Sequence, residues 1–430
     1  MLRNSFLLII LTAFVCRSSA QKIADTLPPP NATKSSMNFS KVIGWGDDGR
    51  TPTAPNGFKV NRYADGFQNP RNMLVLPNGD LLVAEGNSNF SLLEKAGAVV
   101  TGANRAEDLS KSADRIILVR DENKDGIADS KETLLTHDNG LNQPFGMLLL
   151  NGYLYVANTN NVLRFPFKPG QNKISDTAQK IIDLPAGSNF RSNRHWTRNL
   201  IANAKGTKIY IAVGSSSNIA ENGIEEELLR AKILEMNPDG SELRVYASGL
   251  RNPVGIDWAP GTSTLWTSVN ERDELGDELV PDYLTSVKEG GFYGWPYSYW
   301  GNHIDPRIKE TKIELVNKAI VPDVNLGAHT ASLGLLFYTG TSFPKKYQGG
   351  AFIAQHGSWN RSVLSGYQVA FVRFNNGKPA GKVEPFLTGF IANLEDEKVY
   401  GRPVGLAMLA DGSLLVTDDA SNTIWRVSVN

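Results

Sequence analysis

Tyr246-Ala-Ser-Gly-Leu-Arg-Asn-Pro-Val-Gly-Ile-Asp-Trp258 is the stretch on which the reading of this chain turns, because variants of it recur along the sequence. Each copy joins a β-prone run to a polar loop and a Pro-x-Gly or near equivalent. An apolar run, a Gly turn and a second apolar run follow. The first copy is Tyr63-Ala-Asp-Gly-Phe-Gln-Asn-Pro-Arg-Asn-Met73, passing through Pro77-Asn-Gly-Asp80 into Leu81-Leu-Val-Ala84. The second runs from Leu135 to Met147 and then Tyr153-Leu-Tyr-Val-Ala157. The third is irregular, His195-Trp-Thr-Arg-Asn-Leu-Ile201 followed by Ile209-Tyr-Ile-Ala-Val213. Tyr246 to Thr267 is the fourth. The fifth spans 326–338 with Ala351-Phe-Ile-Ala354, and the sixth 387–409 with Ser413-Leu-Leu-Val-Thr417.

Six sheet-sized repeats without long helical patterns between them predict an all-β fold, a six-bladed β-propeller with loop insertions. A four-stranded blade cannot bury both of its faces alone, so packing on its neighbours in a ring stabilises it. Successive repeats begin near Arg71, Pro144, His195, Arg251, Thr330 and Arg402, about 50 to 80 residues apart. Short propeller repeats take ~40–45 residues, so there is room for loops. Gly57–Asp65 has no partner in its own repeat and is expected to pair with Asn422–Ser428, closing the ring and removing open sheet edges.

Residues 57–430 therefore form the propeller domain, and two segments precede it. Met1–Ala20 reads as a secretory signal peptide: Arg3, an apolar core over Phe6–Val15, and small residues at Ser18-Ser-Ala20. That core is too short to span a bilayer, so the protein is expected to be secreted or periplasmic, with no membrane span. Residues 21–56 are polar and contain Pro28-Pro-Pro30, as expected of a linker or a loosely attached arm. The one cysteine, Cys16, lies in the signal. The mature chain thus has no disulfide, thiolate metal site or Cys-x-x-Cys-His haem attachment. Forty-four basic residues balance 44 acidic ones, so no global charge favours nucleic acid.

Among the loops, residues 87–113 form a long insertion, with a helix expected over Arg105–Ala113, and Pro281–Lys288 is expected to be a short helix. Lys232–Tyr246 reads as a hairpin turning at Pro238-Asp-Gly240. Asp121, Asn123, Asp125, Asp129 and Glu132 match a calcium-loop pattern, D-x-N-x-D-G-x5-E, between strands instead of helices. The same residues suit a solvated hairpin tip; structural calcium and a bare turn stay equally open.

In a ring of blades, the residue before each inner strand and the end of the next strand face the same end of the central funnel. The first set contains Arg71, Gln143, His195 with Arg198, Arg251 with Asn252, His329, and Arg402. The second contains Glu85, Asn158, Asn160, Ser215, Asn270 to Asp273, His356 to Arg361, and Asp418 with Asp419. Arg71, Arg198, Arg251, Arg361 and Arg402 converging there predict a site for a small polyanion, since guanidinium forks suit carboxylates. The competing reading pairs them with Glu85, Asp273 or Asp418. His195, at the lip of an inner strand, is the candidate general base.

These motifs resemble a known family. His195-Trp-Thr-Arg-Asn-Leu200, Gly249-Leu-Arg-Asn-Pro-Val-Gly-Ile-Asp-Trp258, Asn270-Glu-Arg-Asp273, Gly290-Gly-Phe-Tyr-Gly-Trp-Pro296, His356-Gly-Ser-Trp-Asn-Arg361 and Gly401-Arg-Pro-Val-Gly405 are similar to the glucose/sorbosone dehydrogenases, nearest the sorbosone and pyranose dehydrogenase branch. The resemblance implies a six-bladed quinoprotein that uses pyrroloquinoline quinone (PQQ) and calcium to oxidise a sugar or sugar aldehyde. It implies cofactor contacts from Arg251, Asn252, Arg361 and Arg402, with Arg71 and Arg198, and calcium on the backbone carbonyls of Glu271 and Arg272. His195 would be the base for hydride transfer, and a separate acceptor, a cytochrome or quinone, would take the electrons. Tyr297, Tyr299, Trp300 and Trp359 form either a sugar platform or loop core. Two positions depart from the glucose enzymes: Ser215 replaces the carboxylate that orients the histidine, and Val254 a glutamine. A calcium-dependent propeller lactonase and a non-catalytic binding propeller are the alternatives.

Overall fold

The glycine of the recurring Pro-x-Gly explains how the repeats stack. In the computed structural model, which describes residues 27–187, 193 and 195–430, it lies where one inner strand crosses the next. A Cβ on Gly146 would stand 2.6 Å from Arg198 O, one on Gly255 2.5 Å from Leu333 O, one on Gly334 2.4 Å from Val404 O, and one on Gly405 2.3 Å from Arg71 O. No side chain fits there, because backbone faces backbone. Two repeats carry asparagine instead. Asn199 Nδ2 donates to Val254 O at 2.9 Å, and Asn72 Nδ2 lies 3.3 Å from Asn199 Oδ1.

The described residues contain six four-stranded antiparallel sheets. Their inner strands are Pro70–Val75, Gly146–Leu150, Arg198–Ala202, Asn252–Trp258, Ser332–Phe337 and Pro403–Met408. Each touches the next, and the last touches the first. The all-β expectation holds. Phe58–Ala64 is the outer strand of the last sheet, paired with Thr423–Val429 from Phe58↔Val429 onward with a shift after Arg62, so the first strand of the repeats and the last share one sheet. Apolar clusters fill the spaces between adjacent sheets. At the centre, Phe145, Trp196, Val254, Leu333 and Val404, from five different repeats, make a buried apolar plug.

Three local expectations are corrected. Residues 281–286 form a strand, Pro281–Ser286, because Tyr283 and Leu284 are both buried between partners on either side. The insertion's helix is Leu92–Thr101, capped by Ser91 and ended by Gly102 in the left-handed region, with a 3-10 turn at Ala103–Arg105. The later part, expected to be helical, instead ties to its surroundings: Asn87 Nδ2 reaches Asp108 O and Ser112 Oγ reaches Asp114. The arm is not loosely attached. From Asn31 N on Leu275 O it passes Thr33 and Ser35 on the backbone of 276–277. It continues over Ser36 and Asn38 beside 359–362, then pairs Lys41–Val42 in parallel with Lys398–Val399. The hairpin at Lys232–Met236 and Arg244–Ser248 is as expected. The expected signal peptide lies outside the described residues.

Candidate active site

His195 precedes the third inner strand, and its ring is set by groups that can only accept a hydrogen. Nδ1 lies 2.9 Å from Ser215 Oγ and 3.0 Å from Ser215 O. The hydroxyl hydrogen of Ser215 is committed to Ser217 O at 2.6 Å. Nδ1 must therefore carry the hydrogen, and in the neutral ring the lone pair sits on Nε2. A serine and a carbonyl thus orient the histidine. Ser215 is itself fixed by its N–H on Arg251 O, 2.7 Å away.

The other expected residues join through a circuit of contacts. Asn252 follows Arg251, and its Oδ1 shares with His195 Cβ the space over Gly214, at 2.3 and 2.6 Å from where a Cβ would stand. Arg251 donates to Asn218 O, Asn218 Oδ1, Asn270 O, Glu271 O at 2.7 Å and Asp273 Oδ2 at 3.1 Å. Glu274 N reaches Asn360 Oδ1 at 2.7 Å, linking that loop to the 356–361 loop. There His356 Nε2 meets Asp419 at 2.9 Å, and Asp419 pairs with Arg71. Arg71 lies over the Trp196 ring, 5.5 Å from its centroid, which returns the circuit to His195. Arg402 bonds His356 O and Gly357 O.

The charge argument needs correction. Arg71 is paired with Asp419, Arg251 with Asp273, Arg361 with Glu278, and Arg402 approaches Glu107 at 3.7 Å. The convergence is real, but internal carboxylates, Asp273 among those anticipated, already face the guanidinium groups. Repulsion among bare cations therefore does not demand an anion. Glu85 serves Arg115 instead, and Asp418 accepts from Arg402 N and two indoles. Arg198 is fully buried and spends its fork on the carbonyls of Pro185, His195 and Thr197. It supports the backbone under His195, and only its Nε is left without a hydrogen-bond partner.

Burial pushes the Glu271 carboxyl up to about 7, against the pull of Arg272 N–H and Arg251. Burial also pushes Asp282 up to about 6, although it accepts from Glu271 N, Ser332 N and Thr330 Oγ1. Burial and Arg402 hold His356 below its ordinary value. Arg272 pairs with Asp305 across 2.8 Å.

Two readings left open by the sequence can be placed in the structure. Tyr297 and Trp300 are buried, as is Tyr299, and Trp359 is stacked on Phe39 of the arm at 5.8 Å. The burial of Tyr297, Tyr299 and Trp300 favours the loop-core reading for those three, while Trp359 stays half-buried. In the 121–132 loop, the carboxylates of Asp121, Asp125 and Asp129 cap the loop's own N–H groups, and Asn123 bonds Asp125 and Asp129. Glu132 lies apart, exposed in strand Ser130–Leu135 opposite Leu118. Among the described residues, no group of three or more His, Cys, Asp or Glu side chains is arranged to hold a metal.

A family model described as TrAA12-like matches residues 52–288 and 304–430. The chain belongs to the TrAA12-like family. Among curated relatives of this TrAA12-like chain is the pyrroloquinoline quinone-dependent pyranose dehydrogenase of Coprinopsis cinerea, 23% identical over 86% of this chain and 54% of that protein. Another is the aldose sugar dehydrogenase YliI of Escherichia coli, 26% identical over 42% of this chain and 51% of that protein. The chain thus spans about half the length of these two. Among solved structures, a Trichoderma reesei carbohydrate-active enzyme of family AA12 superposes with a TM-score of 0.70 at 19% identity, covering 91% of this chain and all of that one. The holo PQQ domain of the Coprinopsis cinerea pyranose dehydrogenase gives 0.69 at 20% identity, over 91% of this chain and all of that domain.

The residues of this TrAA12-like chain fit a polar, multiply charged cofactor with a cation beside it. Asn252 Oδ1 and Arg71 Nε are buried at the circuit without a hydrogen-bond partner, a costly state unless a ligand uses them. The carbonyls of Asn218, Asn270 and Glu271 already gather on one cation, the Arg251 guanidinium. Sequence reading missed Arg230, which bonds five acceptors around His195, and the arm. It included His329 in the funnel set but did not see that its two nitrogens face Asp273 Oδ1 and Gly276 O. No sequence signal marks Arg230, because its acceptors are backbone carbonyls distant in the chain.

Proposed function

We propose that this protein is a PQQ- and calcium-dependent dehydrogenase, built as a six-bladed β-propeller, that oxidises a sugar or sugar aldehyde and passes the electrons to a separate acceptor. It is exported by its signal peptide to the periplasm or the medium. Among the described residues no helix is long and apolar enough to cross a membrane. The observation that carries the reading is the contact of His195 Nδ1 with the Ser215 carbonyl and hydroxyl. An imidazole bound there through Nδ1–H has Nε2 as its basic nitrogen, beside the partnerless Asn252 Oδ1, in a chain of the TrAA12-like family.

Arg71, Arg251, Asn252 and Arg402 would hold the cofactor's carboxylates, with Arg361 at the rim, and the carbonyls of Glu271 and Arg272 would take calcium. When bound, PQQ with its calcium supplies a two-electron acceptor for the hydride leaving the substrate carbon. His195 Nε2 takes the proton from the hydroxyl oxygen bonded to that carbon, so that the carbon–oxygen double bond forms as the hydride leaves. Ser215 keeps the ring from turning and accepts the Nδ1 hydrogen throughout. The buried apolar cluster of Phe145, Trp196, Val254, Leu333 and Val404 begins at Trp196, directly after the base, and gives it an apolar flank. A calcium lactonase would need several carboxylates converging on one ion, and none so converge among the described residues.

The test adds PQQ and calcium to the purified apoprotein and follows dye reduction with a panel of aldoses and aldosones. Cofactor-dependent dye reduction, lost in His195→Ala, is the expected result. Absence of both an absorption change in the cofactor and dye reduction would reject the proposal, and lactone hydrolysis without the cofactor would favour the lactonase.

A further inference from the structure

Arg230 is almost wholly buried, follows the 3-10 turn Ile224–Glu227, and is not part of the ring of arginines read from the repeats. Its guanidinium donates to Gly214 O at 3.1 Å, Pro185 O at 3.1 Å, Asn193 Oδ1 at 2.5 Å, His195 O at 3.3 Å and Ser215 O at 2.9 Å. Three of these acceptors define the base. Ser215 O also takes the His195 Nδ1 hydrogen, His195 O belongs to the base itself, and Gly214 O precedes Ser215.

We infer that Arg230 is the positioning residue of the His195 base: through the Ser215 carbonyl it fixes the Nδ1–H tautomer and the ring's orientation. The inference rests on the reading of His195 as the base. The physical argument is one of valence and charge. A carbonyl has two lone pairs, and a guanidinium on one of them draws charge toward that oxygen and pins its direction. The second lone pair is then left, in a fixed place, for Nδ1–H. Gly214 O and His195 O, held by the same fork, stop the two segments from sliding past each other. A carboxylate orienter would do this alone. Ser215, being neutral, needs its carbonyl immobilised from behind. Arg198 assists from the other side, bonding His195 O at 2.7 Å and sharing Pro185 O. The nearby buried carboxylate, Glu227, is spent on Ser216 N, both oxygens at 3.0 Å.

The test combines a spectrum of the apoprotein with kinetics of the loaded enzyme. Long-range proton–nitrogen NMR, with His195 assigned by its disappearance in His195→Gln, reads the tautomer without any cofactor. The expected wild-type result is Nδ1–H, giving way to a tautomer mixture in Arg230→Gln and restored in Arg230→Lys. In the loaded enzyme, Arg230→Gln should lower kcat roughly 10- to 100-fold, less than the ~10²–10⁴-fold of losing a general base outright, with KM changed less than about threefold. Arg230→Lys should recover most of kcat. If Arg230→Gln does not fold, Arg230→Met, which keeps the apolar stem, takes its place. A wild-type Nε2–H tautomer overturns the inference, as does a folded Arg230 variant lacking the charge that keeps both tautomer and kcat. Should no sugar be oxidised by wild type, the proposed function fails, while the apoprotein spectra still decide the role of Arg230.

Discussion

The indole Nε1 of Trp45 donates to Asp418 Oδ2 across 2.8 Å, so a residue of the N-terminal arm is anchored on the last sheet of the chain. Trp45 is buried, in edge contact with Phe390 and Trp425 and stacked on Tyr400. Trp45→Ala removes a large core side chain and one partner of a buried carboxylate. It is expected to lower stability by about 3–5 kcal/mol, seen as a fall in the urea midpoint. A change under about 1 kcal/mol would mean that the arm is only draped on the surface.

Ser215 stands where the glucose enzymes, by the resemblance, place a carboxylate. A negative charge beside His195 favours the imidazolium, so Ser215→Asp should move the acid limb of the pH–kcat/KM profile to higher pH by about one unit. Ser215→Ala leaves the carbonyl as the single acceptor, and about a fivefold drop in kcat is expected from one lost hydrogen bond. An unmoved limb in Ser215→Asp would show that His195 is not the group being titrated.

Gly214 leaves no room for a side chain between Asn252 Oδ1 and His195 Cβ. Gly214→Ala should push both apart. We expect loss of dye reduction of at least about tenfold, since small displacements of a base are costly, with a thermal midpoint within a few degrees of wild type. Parallel loss of activity and stability would place the strain in the sheet instead of the site.

Asp419 is buried between His356 and Arg71. Burial works to raise its pKa, but His356, Arg71 and Arg402 outweigh it and hold the carboxyl well below the usual range. A depressed carboxylate stabilises the fold above its unfolded value near ~3.9, and that stabilisation is lost as pH falls through the folded value. Asp419→Asn should therefore destabilise by about 3–5 kcal/mol at pH 7, leaving buried Arg71 uncompensated. The gap to wild type should narrow below about pH 4. Denaturant curves at both pH values check this; a constant gap would mean that the pair's charge is not what stabilises.

How much of this was legible is clearest at single positions. The Pro-x-Gly repeat, the closing pair Phe58–Ala64 and Thr423–Val429, the hairpin at Pro238-Asp-Gly240 and the position of His195 all follow from local pattern. A strand's alternation and a turn's glycine act within a few residues. Pro281–Ser286 was misread because its apolar and polar residues do not alternate when both faces are buried, a pattern short helices share. The arm's attachment is not legible because its apolar anchors, Phe39, Val42 and Trp45, are scattered in polar sequence without a period.

Sequence by itself determined that this chain repeats a sheet-forming unit, that its repeats close on each other, and that arginines and one histidine begin the inner strands. Only the tertiary structure decided which arginines are internally paired, that Ser215 and Arg230 surround His195, and that Tyr297, Tyr299 and Trp300 are buried. The reason is physical. Backbone propensity and periodicity act between near neighbours, whereas a guanidinium is directed by whichever carbonyls and carboxylates the closed fold brings within about 3 Å of it, and those lie far away along the chain.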